Sequence, residues 1–151
     1  MDQESEEFVN STCKQALYLW AGLCLSMTLF YVQSQIVFVK RDPLPSSQLE
    51  WVMTLLGILT FTMGLLFFRN YMALRQNRIM RMPYKDRKQS LLIAMVLQFV
   101  LFETLGLYGV LLSVWTQNHL KALPFLFFAY VGFYLSFPKK DKIRVFFRSG
   151  R

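Results

Sequence analysis

The sequence predicts an all-α integral membrane protein, a four-helix bundle with both ends in the cytoplasm. Three observations lead there. Apolar residues make up 54% of the 151-residue chain and aromatic residues 17%, more than the surface of a soluble domain this small could hide. They fall in four long blocks and do not alternate with polar residues, which is the pattern of membrane spans. The Lys and Arg residues lie almost entirely between and after those blocks, where topology signals belong. By length the chain forms one domain, residues 1–151.

The first expected span runs over 17–39, long enough to cross with some tilt. Lys40, Arg41 and Asp42 close it, followed by the turn-forming run 43–47 with Pro43 and Pro45. The second span covers 49–68, with Trp51 as an interfacial anchor. Its helix should continue past the apolar zone to Met82, since no breaker occurs before Pro83. The third, 91–115, is interrupted only by Gln98 and Glu103. The fourth, 120–137, is short and rich in phenylalanine, with Pro124 tolerated in its first turn and Pro138 beyond its end. The segment before the first span carries Asp2, Glu4, Glu6 and Glu7 where a cleavable leader needs basic residues. The first block is therefore expected to remain as a span.

Counting charges orients the bundle. Seven basic residues follow the second span: Arg69, Arg75, Arg78, Arg81, Lys85, Arg87 and Lys88. Six more follow Pro138, and Lys14 precedes the first span. Lys40, Arg41 and Lys121 are the three on the other side. Four spans separate the two groups, and the excess marks the cytoplasmic face, giving N-in and C-in. The Arg69–Lys88 segment could also dock anionic lipid or an acidic partner. The net charge of +8 comes with no recognition motif or stacking platform, so no nucleic acid is expected. The expected location is a bacterial inner membrane or an organellar one. Lipid, other membrane subunits or further copies of the chain are the expected partners.

The remaining polar residues exclude most enzyme chemistry. No metal-binding cluster, phosphate loop, nucleotide fingerprint or nucleophilic triad is present, so no cofactor beyond H⁺ or Na⁺ is expected. His119 stands alone in a loop. Cys13 and Cys24, eleven residues apart on one helix, would lie about 16 Å from each other, too far for a disulfide. The acceptor-like Asn10-Ser11-Thr12 falls on the cytoplasmic side and is discounted.

Glu103 is the exception. It sits twelve positions from both Leu91 and Trp115, at the middle of the third span. A charged side chain at that depth costs about 3 kcal/mol, so such residues face the bundle interior and mark ion or proton pathways, or else join helices by hydrogen bonds. On a helical wheel Gly106 and Ser113 lie roughly 60° to 80° to one side, with Gly109 further round. Thr104 and Tyr108 lie on the other side, each with a hydroxyl that could reach the carboxyl. The second span carries its own small strip, Gly57, Thr60 and Gly64. The expectation is a tight hairpin of spans two and three, with Thr60 at the depth of Glu103 and close to it.

The run Leu101-Phe102-Glu103-Thr104-Leu105-Gly106-Leu107-Tyr108-Gly109 resembles the ion-carrying helix of rotary ATPase c subunits. The preceding Arg81-Met82-Pro83 is similar to that family's polar loop. The resemblance implies an H⁺ or Na⁺ site at Glu103, with Thr104 and Tyr108 at the positions of the neighbouring hydroxyl and the tyrosine. Span two has neither the family's dense glycine repeat nor its glutamine, and span four carries no carboxylate. The leading expectation is a c-subunit-like membrane subunit that binds and translocates H⁺ or Na⁺ at Glu103, with Thr104, Tyr108 and Thr60 as its companions. The alternative is a non-catalytic structural or assembly subunit in which Glu103 bonds a neighbouring helix.

Overall fold

The computed structural model describes residues 3–36 and 47–147. The end of the first expected span (Val37–Val39), Lys40, Arg41, the run 43–46 and Arg148 to Arg151 lie outside the described residues, as does the side chain of Arg75. The described chain is helical throughout: α1 (Gln3–Ile36), α2 (Ser47–Met80), α3 (Tyr84–Thr116), a 3₁₀ turn η1 (His119–Ala122), α4 (Leu123–Leu135) and α5 (Lys140–Phe147). The first three are long and apolar enough to cross a membrane, so the chain has the build of a helical membrane protein. At 34, 34 and 33 residues each is about 50 Å long and overshoots a hydrocarbon core of roughly 30 Å.

The breaks between helices follow from backbone chemistry. α2 runs on beyond its apolar zone to Met80, two residues short of the expected end, and Pro83 opens α3 at φ −56° and ψ 152°. Arg87 folds back to close this turn. Its Nη2 donates to the carbonyl of Met82 at 3.0 Å, and its guanidinium lies 5.1 Å from the centre of the Tyr84 ring. α3 ends where Gln117 adopts the left-handed conformation, φ 53°, and both Gln117 and Asn118 donate their N–H groups to Ser113 O. That end geometry usually takes glycine, because a Cβ is crowded there. Gln117→Gly is expected to raise stability by up to about 1 kcal/mol, read as a higher unfolding midpoint in detergent.

α4 departs from expectation. The fourth apolar block forms 13 residues of α-helix instead of a continuous 120–137 span, and that helix is only about 20 Å long. Pro124, in its first turn, lacks the N–H that an earlier α-helical start would need, so the preceding residues form η1. Pro138 biases Phe137 away from helical geometry and stops the other end.

The residues in contact give the directions of the helices. Ser11 meets Lys88 and Ser26 meets Glu103, a constant offset of 77, so α1 and α3 are parallel. Phe102 meets both Gly64 and Gly132, Gly57 meets Leu105, and Gly109 meets Phe125, so α2 and α4 run antiparallel to α3. α3 is the hub, packed by α1, α2 and α4 and the most enclosed of the long helices, while α1 and α2 barely meet. One end of the bundle gathers Glu6, Ser11, Cys13, Lys88, Pro138 and Arg144. At the other, Lys121 pairs with Glu50 in the first turn of α2.

The packing centre is Phe102. Its fully buried ring occupies the notch made by Gly64 of α2 and Gly132 of α4. The rings of Phe61 and Phe133 lie against it, both with centroids 6.1 Å away. Lipid is as apolar as these side chains, so close packing, and not escape from water, holds such helices together. Glycine opposite phenylalanine gives that contact its depth.

Candidate functional site

Glu103 is half-buried on α3 and faces α1. Its Oε1 lies 2.5 Å from Ser26 Oγ, whose hydroxyl is also 2.9 Å from Leu23 O, one turn back on α1. A serine hydroxyl has one proton to donate. If Glu103 is ionised, that proton goes to the carboxylate. If Glu103 is neutral, it donates to Ser26 and Ser26 donates to Leu23 O. The pair therefore stays bonded in either protonation state.

The residues expected around Glu103 are arranged otherwise. Thr104 Oγ1 turns back to Val100 O at 2.8 Å, the usual outlet for a helical threonine hydroxyl. Tyr108 and Thr60 are half-buried, and among the described residues the hydrogen bond to Glu103 comes from Ser26. The hairpin of α2 and α3 does form, but its contact face holds Phe102 and Leu105 against Gly64 and Gly57. Glu103 is one residue past Phe102 and so points about 100° away. This rotation sets the carboxyl toward α1 instead of Thr60.

The small residues of α3 also serve other neighbours than expected. Gly106 faces Met27 of α1 and Ala129 of α4, and Gly109 faces Phe125 and the backbone of Ala122. Ser113 is fully buried, bonds Val110 O at 2.8 Å and supports the end of the helix. On α2, Gly57 receives the Phe125 and Leu105 side chains. Of the basic segment, Arg69, Arg78, Arg81 and Lys85 are exposed, Lys88 donates to Ser11 Oγ at 2.7 Å, and Arg87 is buried in the α2–α3 turn.

Comparison of the chain with protein-family models, curated proteins and solved structures finds no match. The site is therefore read on its own chemistry.

Three further bonds cross between helices at polar side chains in the apolar zone. Gln98 Nε2 donates to Gly64 O at 3.1 Å, joining α3 to α2. Trp20 Nε1 donates to Phe133 O at 2.9 Å, and Thr28 Oγ1 lies 2.6 Å from the Tyr130 hydroxyl, both joining α1 to α4. Trp20 and Ser26 carry no sequence signal that singles them out. Their partners sit more than 75 residues away, and only the packing of the helices brings them together. Among the described residues no group of His, Cys, Asp and Glu could hold a metal ion.

Proposed function

We propose that the chain is a non-catalytic structural or assembly subunit of a membrane, with four spans, both ends in the cytoplasm, and Glu103 as an interhelical hydrogen-bonding residue. One observation carries the reading. Glu103, Gln98, Trp20 and Thr28 are each bonded to a helix other than their own, and among the described residues these bonds lie apart and do not converge on one point. That is how polar residues join a bundle in lipid. The topology has its own support, because the α1 start, the α3 start and the C-terminal segment meet at one end. That end holds Lys85, Lys88 and Arg144, and the opposite end holds Lys121. The short α4, extended by η1 and residues 136–138, connects the two ends and serves as the fourth crossing.

A second reading rests on Glu103 being only half-buried, with the described bond made by one of its two carboxyl oxygens. Exchange of H⁺ or Na⁺ at Glu103 keeps the c-subunit-like function open, with Ser26 as the companion hydroxyl.

The two readings diverge under one pair of measurements. As a structural bond, Glu103→Gln keeps a donor for Ser26 Oγ and leaves the unfolding midpoint nearly unchanged. Glu103→Ala loses the bond and costs about 1 kcal/mol. Carbodiimide labelling, mapped by mass spectrometry across pH and sodium concentration, is expected to leave Glu103 unmodified. Selective modification that falls as pH rises or as sodium is added would move the conclusion to ion carriage.

A further inference from the structure

α1 and α2 flank α3 and barely meet, so one face of α3 stays open between them. Ile93, Leu97, Val100 and Leu111 recur on that face at helical spacing and are all exposed, Ile93 by 49% and Leu97 by 45%. Where α3 emerges from its apolar stretch, this face begins with a groove of about 450 Å³, a volume typical of a ligand site. Lys85, Lys88 and Gln89 form its mouth, and Leu92, Val96 and Leu97 line its floor.

The mouth carries two positive charges, on Lys85 and Lys88. Lys85 and Lys88 are one helical turn apart on the same side of α3. Among the described ion pairs, which join Lys121 to Glu50 and Arg144 to Glu6 and Asp141, neither lysine takes part. The partner of Lys88 is the neutral Ser11 hydroxyl, which fixes the ammonium in place and leaves its charge intact. A groove with two cations at the mouth and aliphatic side chains below matches an amphiphile with an anionic head and an apolar tail. From Lys88 to Val100 the helix rises about 18 Å, slightly more than one leaflet of a core roughly 30 Å thick. We propose that this groove binds one anionic phospholipid, its phosphate held by Lys85, Lys88 and the Gln89 amide and one acyl chain lying along Ile93 to Val100. The inference rests on α3 crossing the membrane and is independent of the role of Glu103.

Native mass spectrometry of the full chain in a neutral detergent tests it, with phosphatidylglycerol, phosphatidylcholine and inorganic phosphate as separate probes. Phosphatidylglycerol should remain bound at collision energies that strip phosphatidylcholine. Lys85→Gln with Lys88→Gln should reduce its retention about thirtyfold, the scale expected for two lysines at a membrane surface. Glutamine keeps an N–H donor on the side of Ser11, and an unchanged circular dichroism spectrum of the variant is expected. Lys140→Gln with Lys142→Gln removes the same charge from α5 and should leave retention unchanged. Ile93→Trp, which fills the groove without touching charge, should lower it as well. Equal loss in both lysine pairs would overturn the proposal in favour of a diffuse basic surface. Equal retention of both lipids, or lysine-dependent binding of phosphate with no such dependence for the lipid, would also overturn it. So would a dimer that displaces lipid and is abolished by Ile93→Trp, because the groove would then belong to a second copy.

Discussion

Gly132→Ala is expected to lower the stability of the purified protein by about 2 kcal/mol, the scale of one methyl group forced into a packed core. The three heavy atoms nearest to a Cβ at Gly132 all belong to the Phe102 ring. That ring is also the neighbour that a Cβ at Gly64 would meet, at 2.7 Å, so it is held from α2 and α4 at once. Moving it aside means disturbing Phe61 or Phe133. Alanine is normally the better helix former by up to 1 kcal/mol, which makes a loss diagnostic of the clash. Equilibrium unfolding by a denaturing detergent, followed by circular dichroism, measures it. Phe102→Leu should partly rescue Gly132→Ala, since the smaller side chain vacates the notch, and the double-mutant cycle should show coupling. Additive losses would mean that the glycine and the ring do not share one space.

Gly109→Ala should cost a comparable amount for a different reason. A Cβ there would meet Phe125 Cβ at 2.7 Å and the Ala122 carbonyl oxygen at 2.9 Å. Neither is the far end of a flexible side chain, so α3 would have to move from η1 and α4 together. The Glu50–Lys121 pair, which ties η1 to α2, would loosen with it. Gly106→Ala provides the contrast. The atoms in its way are Sδ and Cγ of Met27, and an unbranched thioether can take another rotamer. There the helix-propensity gain should roughly cancel the contact cost. Gly22→Ala, with nothing within 4 Å of the added carbon, should be stabilising. The expected order of unfolding midpoints is Gly22→Ala above wild type, Gly106→Ala near it, and Gly109→Ala clearly below. A Gly109→Ala midpoint equal to that of Gly106→Ala would show that η1 yields freely.

Much of the helical layout was legible because its causes are local. A run of apolar residues bounded by charge forms a helix long enough to cross, and Pro83, Pro124 and Pro138 mark breaks through their missing N–H groups and fixed φ. Where reading was poorer, the cause lay outside the local chain. α1 begins at Gln3, well before its apolar zone, with Phe8 packed on Tyr84 and Lys88 bonded to Ser11. Those contacts join residues over 70 positions apart, which no local pattern shows. Arg87 read as one of seven surface cations, yet its side chain closes a turn beneath the Tyr84 ring.

The candidate site divides the same way. Sequence alone determined that Glu103 lies at mid-span and must find a polar partner, because depth follows from counting residues along a helix and an unsatisfied carboxyl in lipid is costly. It also determined that glycines on α2 and α3 would admit close packing. Tertiary structure alone decided which neighbour each residue meets. The Phe102 ring inserts between Gly64 and Gly132 and thereby sets the rotation of α3 about its axis. That rotation carries Glu103 to Ser26 of α1, while Thr104 bonds its own helix. Rotation is a property of several helices packed together, with aromatic rings seated against glycines on different chain segments, and it has no counterpart in the order of residues along any one of them.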